Sequence, residues 1–148
     1  MEKGLAIITG ADGGMGQVIT AALAKAGYPV IMACLDPEKA APVCTRIQQE
    51  TGNTQIEVRA IDLASLSSVN NFTGQLLKEG RPISRLMNNA GILTTPVRRT
   101  EDGLETIVSV NYMAPYMLTR QLLPLMQPGC RIVNTVSCTY TIGRIEPD

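Results

Sequence analysis

Three glycines that follow a short apolar run are the first residues whose spacing points to chemistry. Residues 5–8 are apolar, Thr9 comes next, and the glycines stand at Gly10, Gly14 and Gly16. Glycine tolerates positive φ and lets a ligand approach the backbone closely, because it has no Cβ. A helix that follows such a turn points its free N–H groups and positive dipole end at an anion. The stretch therefore predicts a strand, a turn and a helix that bind a pyrophosphate, with glycines that serve packing alone as the alternative.

The composition excludes several classes of function. The chain has 148 residues, 13 Lys and Arg, 13 Asp and Glu, and no His. Without histidine there are no histidine bases, Ser-His-Asp triads or histidine metal sites. The zero net charge gives no electrostatic basis for binding nucleic acid or an anionic membrane, so a small polar ligand is expected. A cytoplasmic location is expected, because there is no signal-peptide pattern and no run approaches the roughly 20 apolar residues of a membrane span.

The four cysteines do not form a metal-binding pattern. Cys34, Cys44, Cys130 and Cys138 contain no C-x-x-C pair. The chain also lacks histidine, so the sequence offers no set of spaced Cys and His ligands for zinc, and no metal site is predicted. Buried, reduced thiols are the expectation.

Short apolar runs alternate with helical patterns along the chain. After the opening strand, further strands are expected at residues 30–34, 56–60, 83–87 and 131–137, with the alternating run at 56–60 at a sheet edge. Helix starts are expected at Asp36-Pro37 and at Ser65, and Pro42 either kinks the second helix or begins it. Strands that alternate with helices form a parallel sheet. The prediction is one α/β domain over residues 1–148, a Rossmann-like doubly wound parallel sheet with strand order 3-2-1-4-5.

Two helices carry expectations about their apolar faces. In the first helix, the apolar residues at helical spacing are Met15, Val18, Ile19, Ala22, Leu23 and Ala26. In a long helix after residue 100, Asn111 lies four residues after Ile107 and seven after Leu104, which places it on the buried stripe. Pro115 has no N–H for the Asn111 carbonyl, so a kink is expected there.

Polar residues follow the strands of the predicted sheet. Asp36, Asp62, the run 88–91 and Ser137 each come at or just after a strand end. Ligands of doubly wound sheets bind at the carboxyl ends of the strands. We therefore expect these residues to gather around the same crevice as the glycine turn.

Taken together, these motifs resemble the short-chain dehydrogenase/reductase family. The resemblance covers nearly the whole chain and is carried, in the family's order, by Thr9-Gly10-x-x-x-Gly14-x-Gly16, Asp62-Leu63, Asn88-Asn89-Ala90-Gly91, Asn111 and Ser137. Residues 32–40 are more loosely similar to the retinol-dehydrogenase-like branch. The resemblance implies an NAD(P)-dependent oxidoreductase that transfers a hydride between the nicotinamide cofactor and an alcohol or carbonyl substrate. It also implies a homo-oligomer that pairs through the long helix.

The resemblance implies roles for individual residues. Asp62 would accept a hydrogen bond from the adenine amino group, and the alternative is a carboxylate at a helix entry. Asn111 would hold a water of the proton relay, and the alternative is an amide satisfied by neighbouring backbone. Ser137 would hydrogen-bond the substrate oxygen, and the alternative is a turn residue. The implied cofactor-binding residues are Gly10, Gly14, Met15, Gly16, Asp36, Asp62, Leu63, Asn89, Ala90 and Gly91.

The sequence departs from the family at the proton donor. Members use a Tyr-x-x-x-Lys pair as the proton donor. Here Tyr140 is followed at that spacing by Arg144, which holds its proton too firmly to replace the lysine in a proton relay. Tyr140 also follows Ser137 by only three residues, which is too close for the family's catalytic tyrosine, so we do not assign it that role. We expect the chain to be the N-terminal part of a longer enzyme, truncated before the later strands, whose Tyr and Lys lie beyond Asp148. The alternative is a non-catalytic dinucleotide-binding sensor or scaffold of the same fold.

The choice between NAD and NADP depends on residues after the second strand. NADP-preferring members usually carry a basic residue at positions that correspond to Leu35 and Gly13 here, and NAD-preferring members an acid at the position of Cys34. Asp36 is close enough in sequence to reach a ribose hydroxyl, although helix capping explains it equally well. The sequence favours NAD.

Overall fold

Five parallel strands form one sheet in a computed structural model that describes residues 3–141 and residue 143. The sheet order is β3-β2-β1-β4-β5. The strands are β1 (Leu5–Thr9), β2 (Val30–Cys34), β3 (Ile56–Ala60), β4 (Ile83–Asn88) and β5 (Met126–Asn134). The predicted fold class and strand order are confirmed.

Helices connect consecutive strands, as right-handed crossovers require. They are α1 (Gly14–Lys25), α2 (Pro37–Thr51), α3 (Leu66–Glu79), α4 (Thr106–Val108) and α5 (Ala114–Leu122), with a π-helical segment (Ser109–Met113) between α4 and α5. None of the helices in the described part of the chain has the length and apolarity needed to span a bilayer.

The core lies on both faces of the sheet. Every residue of β1 and β2 is buried, which explains why these strands are continuous apolar runs in the sequence. Residues of α1 and α2 contribute to the cluster on one face, and residues of α3 and α5 to the cluster on the other. β3 lies at an edge and is mostly half-buried, as its alternating sequence predicted.

The predicted helix starts are correct for α2 and α3. Asp36 caps α2 and Ser65 caps α3, each through its side-chain oxygen. Gly52 and Gly80 end the two helices in the left-handed conformation, with φ of 69° and 65°. Pro42 neither begins nor ends α2, which continues through it.

The buried face of α1 is not the stripe of large apolar residues. Gly16, Thr20 and Ala24 are the buried residues of this helix, whereas Met15 and Val18 are 58% and 69% exposed. Small residues every four positions let the helix backbone lie close to the sheet. Of the apolar residues at helical spacing, Ile19 and Leu23 pack against the core, whereas Met15 and Val18 do not.

The region around Asn111 also differs from the prediction. Asn111 is exposed, because the chain is not uniformly α-helical there. In the π-helical segment the hydrogen bonds reach one residue further, as from the Ala114 N–H to the Ser109 carbonyl. The wider turn buries Ser109 and Val110 instead. Pro115, which cannot donate to the Asn111 carbonyl, lies two residues after the end of this segment and gives a physical reason for it.

The fifth strand begins earlier than predicted and is irregular. It starts at Met126, which pairs with Ile83, and regular pairing resumes only where Arg131 lies beside Arg85. It ends at Asn134, so Ser137 follows the strand rather than closing it. Val133 is 42% exposed and Ile132 38%, which is high for this type of sheet.

Two adjacent leucines in α3 test how the core depends on the helix face. Leu76 is fully buried and Leu77 is 41% exposed. Leu76→Ala should lower the free energy of unfolding by about 2–5 kcal/mol, because it leaves a cavity under the sheet. Leu77→Ala, the matched control, should change it by about 0.5 kcal/mol or less. Urea unfolding followed by circular dichroism measures both, and equal losses would contradict the assignment of the helix face.

Candidate functional site

The glycine turn after β1 is built by close backbone packing. Gly10 has a φ of 60°, and a Cβ there would lie 3.1 Å from the Ala90 Cα. A Cβ on Gly16 would lie 2.1 Å from the Gly10 carbonyl oxygen, far inside any allowed contact. These two glycines therefore let the start of α1 and the end of β4 approach the turn.

Gly14 differs from its neighbours because a Cβ there would meet nothing within 4 Å. It is the first residue of α1, and the residue before it, Gly13, provides no side-chain cap for the helix. The first-turn amides lack partners within the helix, and the positive end of its dipole is not offset by an acidic residue in that turn. Open space in front of such amides suits a bound anion.

Side-chain hydrogen bonds hold the ends of β1 and β4 together. The Thr9 hydroxyl accepts from the backbone N–H groups of Asn89 and Ala90, both at 3.0 Å. The Asn89 side-chain amide donates back to the Thr9 carbonyl at 3.0 Å and to the Gly10 carbonyl at 3.3 Å. The role of Thr9 was not predicted, although its position between a strand and a glycine turn could have indicated it.

A cleft of about 600 Å³ lies at the carboxyl ends of β1, β2 and β4. All the predicted cofactor-binding residues except Asp36 line it: Gly10, Gly14, Met15, Gly16, Asp62, Leu63, Asn89, Ala90 and Gly91. Asp12, Leu35, Thr106 and Val110 also line it and were not predicted. We call this volume the nucleotide cleft.

Asp36 is placed outside the lining of the nucleotide cleft. Its Oδ1 accepts from the Lys39 backbone N–H at 3.2 Å, and its Oδ2 lies 2.7 Å from the Lys39 ammonium group. The hydrogen bond from the Lys39 side chain is the main cause that lowers the pKa of this carboxyl group. The helix-capping alternative accounts for these contacts.

Asp62 and Leu63 form a turn that is held from several sides. Asp62 Oδ1 accepts from the Ala64 N–H at 2.8 Å, and the Asp62 N–H donates to the Ser68 hydroxyl at 2.9 Å. The buried Ser109 hydroxyl donates to the Leu63 carbonyl at 3.1 Å. The wall of the cleft is therefore fixed by α3 and by the π-helical segment.

Asn111 fastens the segment after β4 to the long helix. Its Oδ1 accepts from the Ile92 N–H and its Nδ2 donates to the Ile92 carbonyl, both at 2.9 Å. Neighbouring backbone thus satisfies this amide, as the alternative stated, although the side chain is exposed rather than buried. These bonds involve the side chain and leave the role of its carbonyl as a prediction.

A second cavity, of about 890 Å³, contains both predicted catalytic residues. Asn111 and Ser137 line it, together with Leu93, Tyr112 and Tyr116. Residues 89–92 line both this cavity and the nucleotide cleft, so the two volumes adjoin at that segment. At this cavity the ends of β4 and β5 are joined by a hydrogen bond from Asn88 Nδ2 to Asn134 Oδ1, at 2.8 Å. The Tyr140 side chain and Arg144 lie outside the described residues.

The four cysteines are free thiols, and two of them are buried as expected. Cys34 lies at the end of β2, behind the glycine turn. Burial, followed by the hydrogen bond and charge of Asp12, raises the pKa of the Cys34 thiol to about 12. Cys130 is half-buried and Cys138 is exposed.

Gly16 and Gly14 form a matched pair for testing the turn. Gly16→Ala should lower the melting temperature by several degrees or prevent folding, because the Cβ would overlap the Gly10 carbonyl. Gly14→Ala should leave it unchanged or slightly raised, since alanine is the better helix former and the position is open. Differential scanning calorimetry gives both values. Equal melting temperatures would show that α1 does not pack as described.

Comparisons with known proteins agree with this geometry. A family model for short chain dehydrogenase matches residues 4–146. Retinol dehydrogenase 11 of Mus musculus is 38% identical over 144 residues, which cover 96% of this chain and 46% of that protein. The chain thus spans about half the length of the curated relatives it matches.

Solved structures share the fold. An uncharacterised protein from Mycobacterium paratuberculosis superposes with a TM-score of 0.85 at 34% identity, covering 98% of this chain and 50% of that one. A metagenomic short-chain oxidoreductase in complex with NADP gives a TM-score of 0.71 at 28% identity, covering 84% of this chain and 57% of that one. The motifs, the sheet order and the match over residues 4–146 together show that the chain belongs to the short-chain dehydrogenase family.

Proposed function

We propose that the protein is an NAD(P)-dependent oxidoreductase that transfers a hydride between a nicotinamide cofactor and an alcohol or carbonyl substrate. The observation that carries this proposal is that residues 89–92 line both the nucleotide cleft and the cavity of Asn111 and Ser137. A dinucleotide needs two adjoining volumes, one for its adenosine half and one for its reactive ring. When bound, the nicotinamide ring supplies or accepts the hydride.

The chain's own residues fit the adenosine and pyrophosphate parts of such a cofactor. Gly14 leaves room in front of the uncapped amides of α1, where a pyrophosphate would be held. Asp62 uses Oδ1 within its own turn, and its Oδ2 makes no hydrogen bond to any residue that the structure describes. That oxygen would accept from the adenine amino group. Ala90 and Gly91 are small enough to let a ribose lie against them.

Asn111 and Ser137 would act at the reacting end. The Ser137 hydroxyl would donate to the substrate oxygen and stabilise the charge that develops on it during hydride transfer. Asn111 would hold a water through its backbone carbonyl, while its side chain keeps Ile92 in place. The proton donor and its lysine are proposed to lie beyond Asp148.

We infer a preference for NAD from the charges around the nucleotide cleft. Its lining, within the described residues, includes the acids Asp12 and Asp62 but no Lys or Arg. Leu35, which is 70% exposed, lies at the position where a basic residue would meet a 2′-phosphate. A 2′-phosphate would therefore lack a cation, although the metagenomic relative was solved with NADP.

Three further expectations stay proposals. The substrate is a small alcohol or carbonyl compound, and neither nucleic acid nor a membrane is proposed as a partner. Two or more copies are proposed to pair through the long helix that includes α5. The cytoplasmic location expected from the sequence is likewise a proposal.

Cofactor titration tests the preference for NAD. NADH should bind more tightly than NADPH, as measured by nicotinamide fluorescence. Leu35→Arg should reverse or narrow the ratio of the two dissociation constants, because it adds a cation for the 2′-phosphate. Leu35→Gln is the uncharged control and should leave the ratio near its original value. Tighter binding of NADPH by the unsubstituted protein would refute the preference.

Ser137→Ala tests catalysis separately from binding. The variant should bind NADH normally but lose about 100-fold or more in kcat with alcohol or carbonyl substrates, in line with the loss of one donor to a developing oxyanion. Gly14→Ala should show the opposite pattern, with cofactor binding weakened in a stable protein. Binding of NADH without turnover of any alcohol or carbonyl substrate, by a protein that includes the proposed Tyr and Lys, would instead favour the sensor or scaffold.

A further inference from the structure

A hairpin between β4 and the long helix is anchored on the start of α3. The Ser65 hydroxyl donates to Glu101 Oε1 at 2.7 Å. The Leu66 backbone N–H donates to Asp102 Oδ2 at 2.9 Å. Two consecutive carboxylates therefore bind a helix end that lies 36 positions earlier in the chain.

The carboxylates sit at the tip of a closed unit, here called the 98–106 hairpin. The Thr106 N–H and hydroxyl both donate to the Arg98 carbonyl, at 2.9 and 3.0 Å. Near the tip, the Thr100 N–H donates to the Leu104 carbonyl at 2.8 Å. Because these internal hydrogen bonds make the hairpin a single unit, the contacts of Glu101 and Asp102 attach the whole hairpin to α3.

The two anchors join two segments that line the nucleotide cleft. On one side, Ser65 directly follows the turn 62–64, which lines the cleft. On the other side, the hairpin ends at Thr106, which lines the cleft together with Val110. The Ser109 hydroxyl already joins these two segments through its hydrogen bond to the Leu63 carbonyl, and the contacts of Glu101 and Asp102 add a second connection through the hairpin.

The chemistry of the contacts favours a firm anchor. A carboxylate close to the first amides of α3 interacts favourably with the positive end of the helix dipole. Hydrogen bonds to ionised acceptors are also shorter and stronger than neutral ones. Neither carboxylate lines the nucleotide cleft or the second cavity, so neither is expected to touch cofactor or substrate.

We propose that Glu101 and Asp102 are positioning residues for the cofactor, which set the spacing of the cleft walls around its adenosine half. This role rests on the proposed function. Without the anchors, the hairpin moves away from α3, and the cofactor must order it again on binding. That ordering lowers affinity and leaves the hydride-transfer step unchanged.

Alanine variants at the two positions test the role in the full-length protein. Glu101→Ala and Asp102→Ala should each raise the dissociation constant and KM for NADH by about threefold to tenfold, the range expected for one exposed hydrogen bond. kcat at saturating NADH should stay within about twofold, since no reacting atom is touched. Asp102→Asn and Glu101→Gln keep an oxygen acceptor and should give intermediate values, and they carry the test if an alanine variant does not fold.

Glu105→Gln is the matched control within the same hairpin. The Glu105 side chain makes no hydrogen bond or ion pair with the residues that the structure describes, so the dissociation constant of the Glu105→Gln variant for NADH should equal that of the unsubstituted protein. Alanine variants that bind NADH as tightly as the unsubstituted protein would overturn the positioning role, even where their melting temperatures fall. Failure of the unsubstituted protein to bind NADH or NADPH would overturn the proposed function as well.

Discussion

The approach of the first turn to the end of β4 is the constraint on which the rest of the structure depends. Gly10 and Gly16 permit the contact, and the Thr9 hydroxyl and Asn89 amide hold it with four hydrogen bonds to backbone groups. A single Cβ at Gly16 would separate α1 from the turn. With α1 displaced, Gly14, Met15 and Gly16 would no longer line the nucleotide cleft as they do.

Much of the fold follows from local patterns in the sequence. Fully buried strands read as continuous apolar runs, β3 reads as an edge, and Asp36, Ser65, Gly52 and Gly80 mark helix ends by well-understood capping. The alternation of these elements then restricts the topology to a few choices. The site residues that follow strands could be predicted as a group, because strand ends of a parallel sheet meet at one edge, whereas Asn111 lies in the π-helical segment.

The differences between the sequence-based expectations and the structure have physical causes that the spacing of apolar residues along a helix or strand does not reveal. α1 packs through Gly16, Thr20 and Ala24 because the close turn requires small residues, so the larger Met15 and Val18 face outwards. The π-helical segment moves Asn111 out of the buried stripe that the sequence predicted. Pro115 indicates a kink in the sequence, but the sequence does not show that the kink takes the form of a π-helix. Thr9 and the 98–106 hairpin act through contacts between residues far apart in sequence, which no local pattern reports.

The protonated state of Cys34 bears on how the protein withstands oxidants and electrophiles. Only the thiolate reacts readily with such compounds, and a pKa of about 12 keeps Cys34 in its inert form at neutral pH. Cys138, by contrast, is exposed to solvent. Alkylating agents and peroxides would thus encounter Cys138 first and spare the strand end that supports the glycine turn.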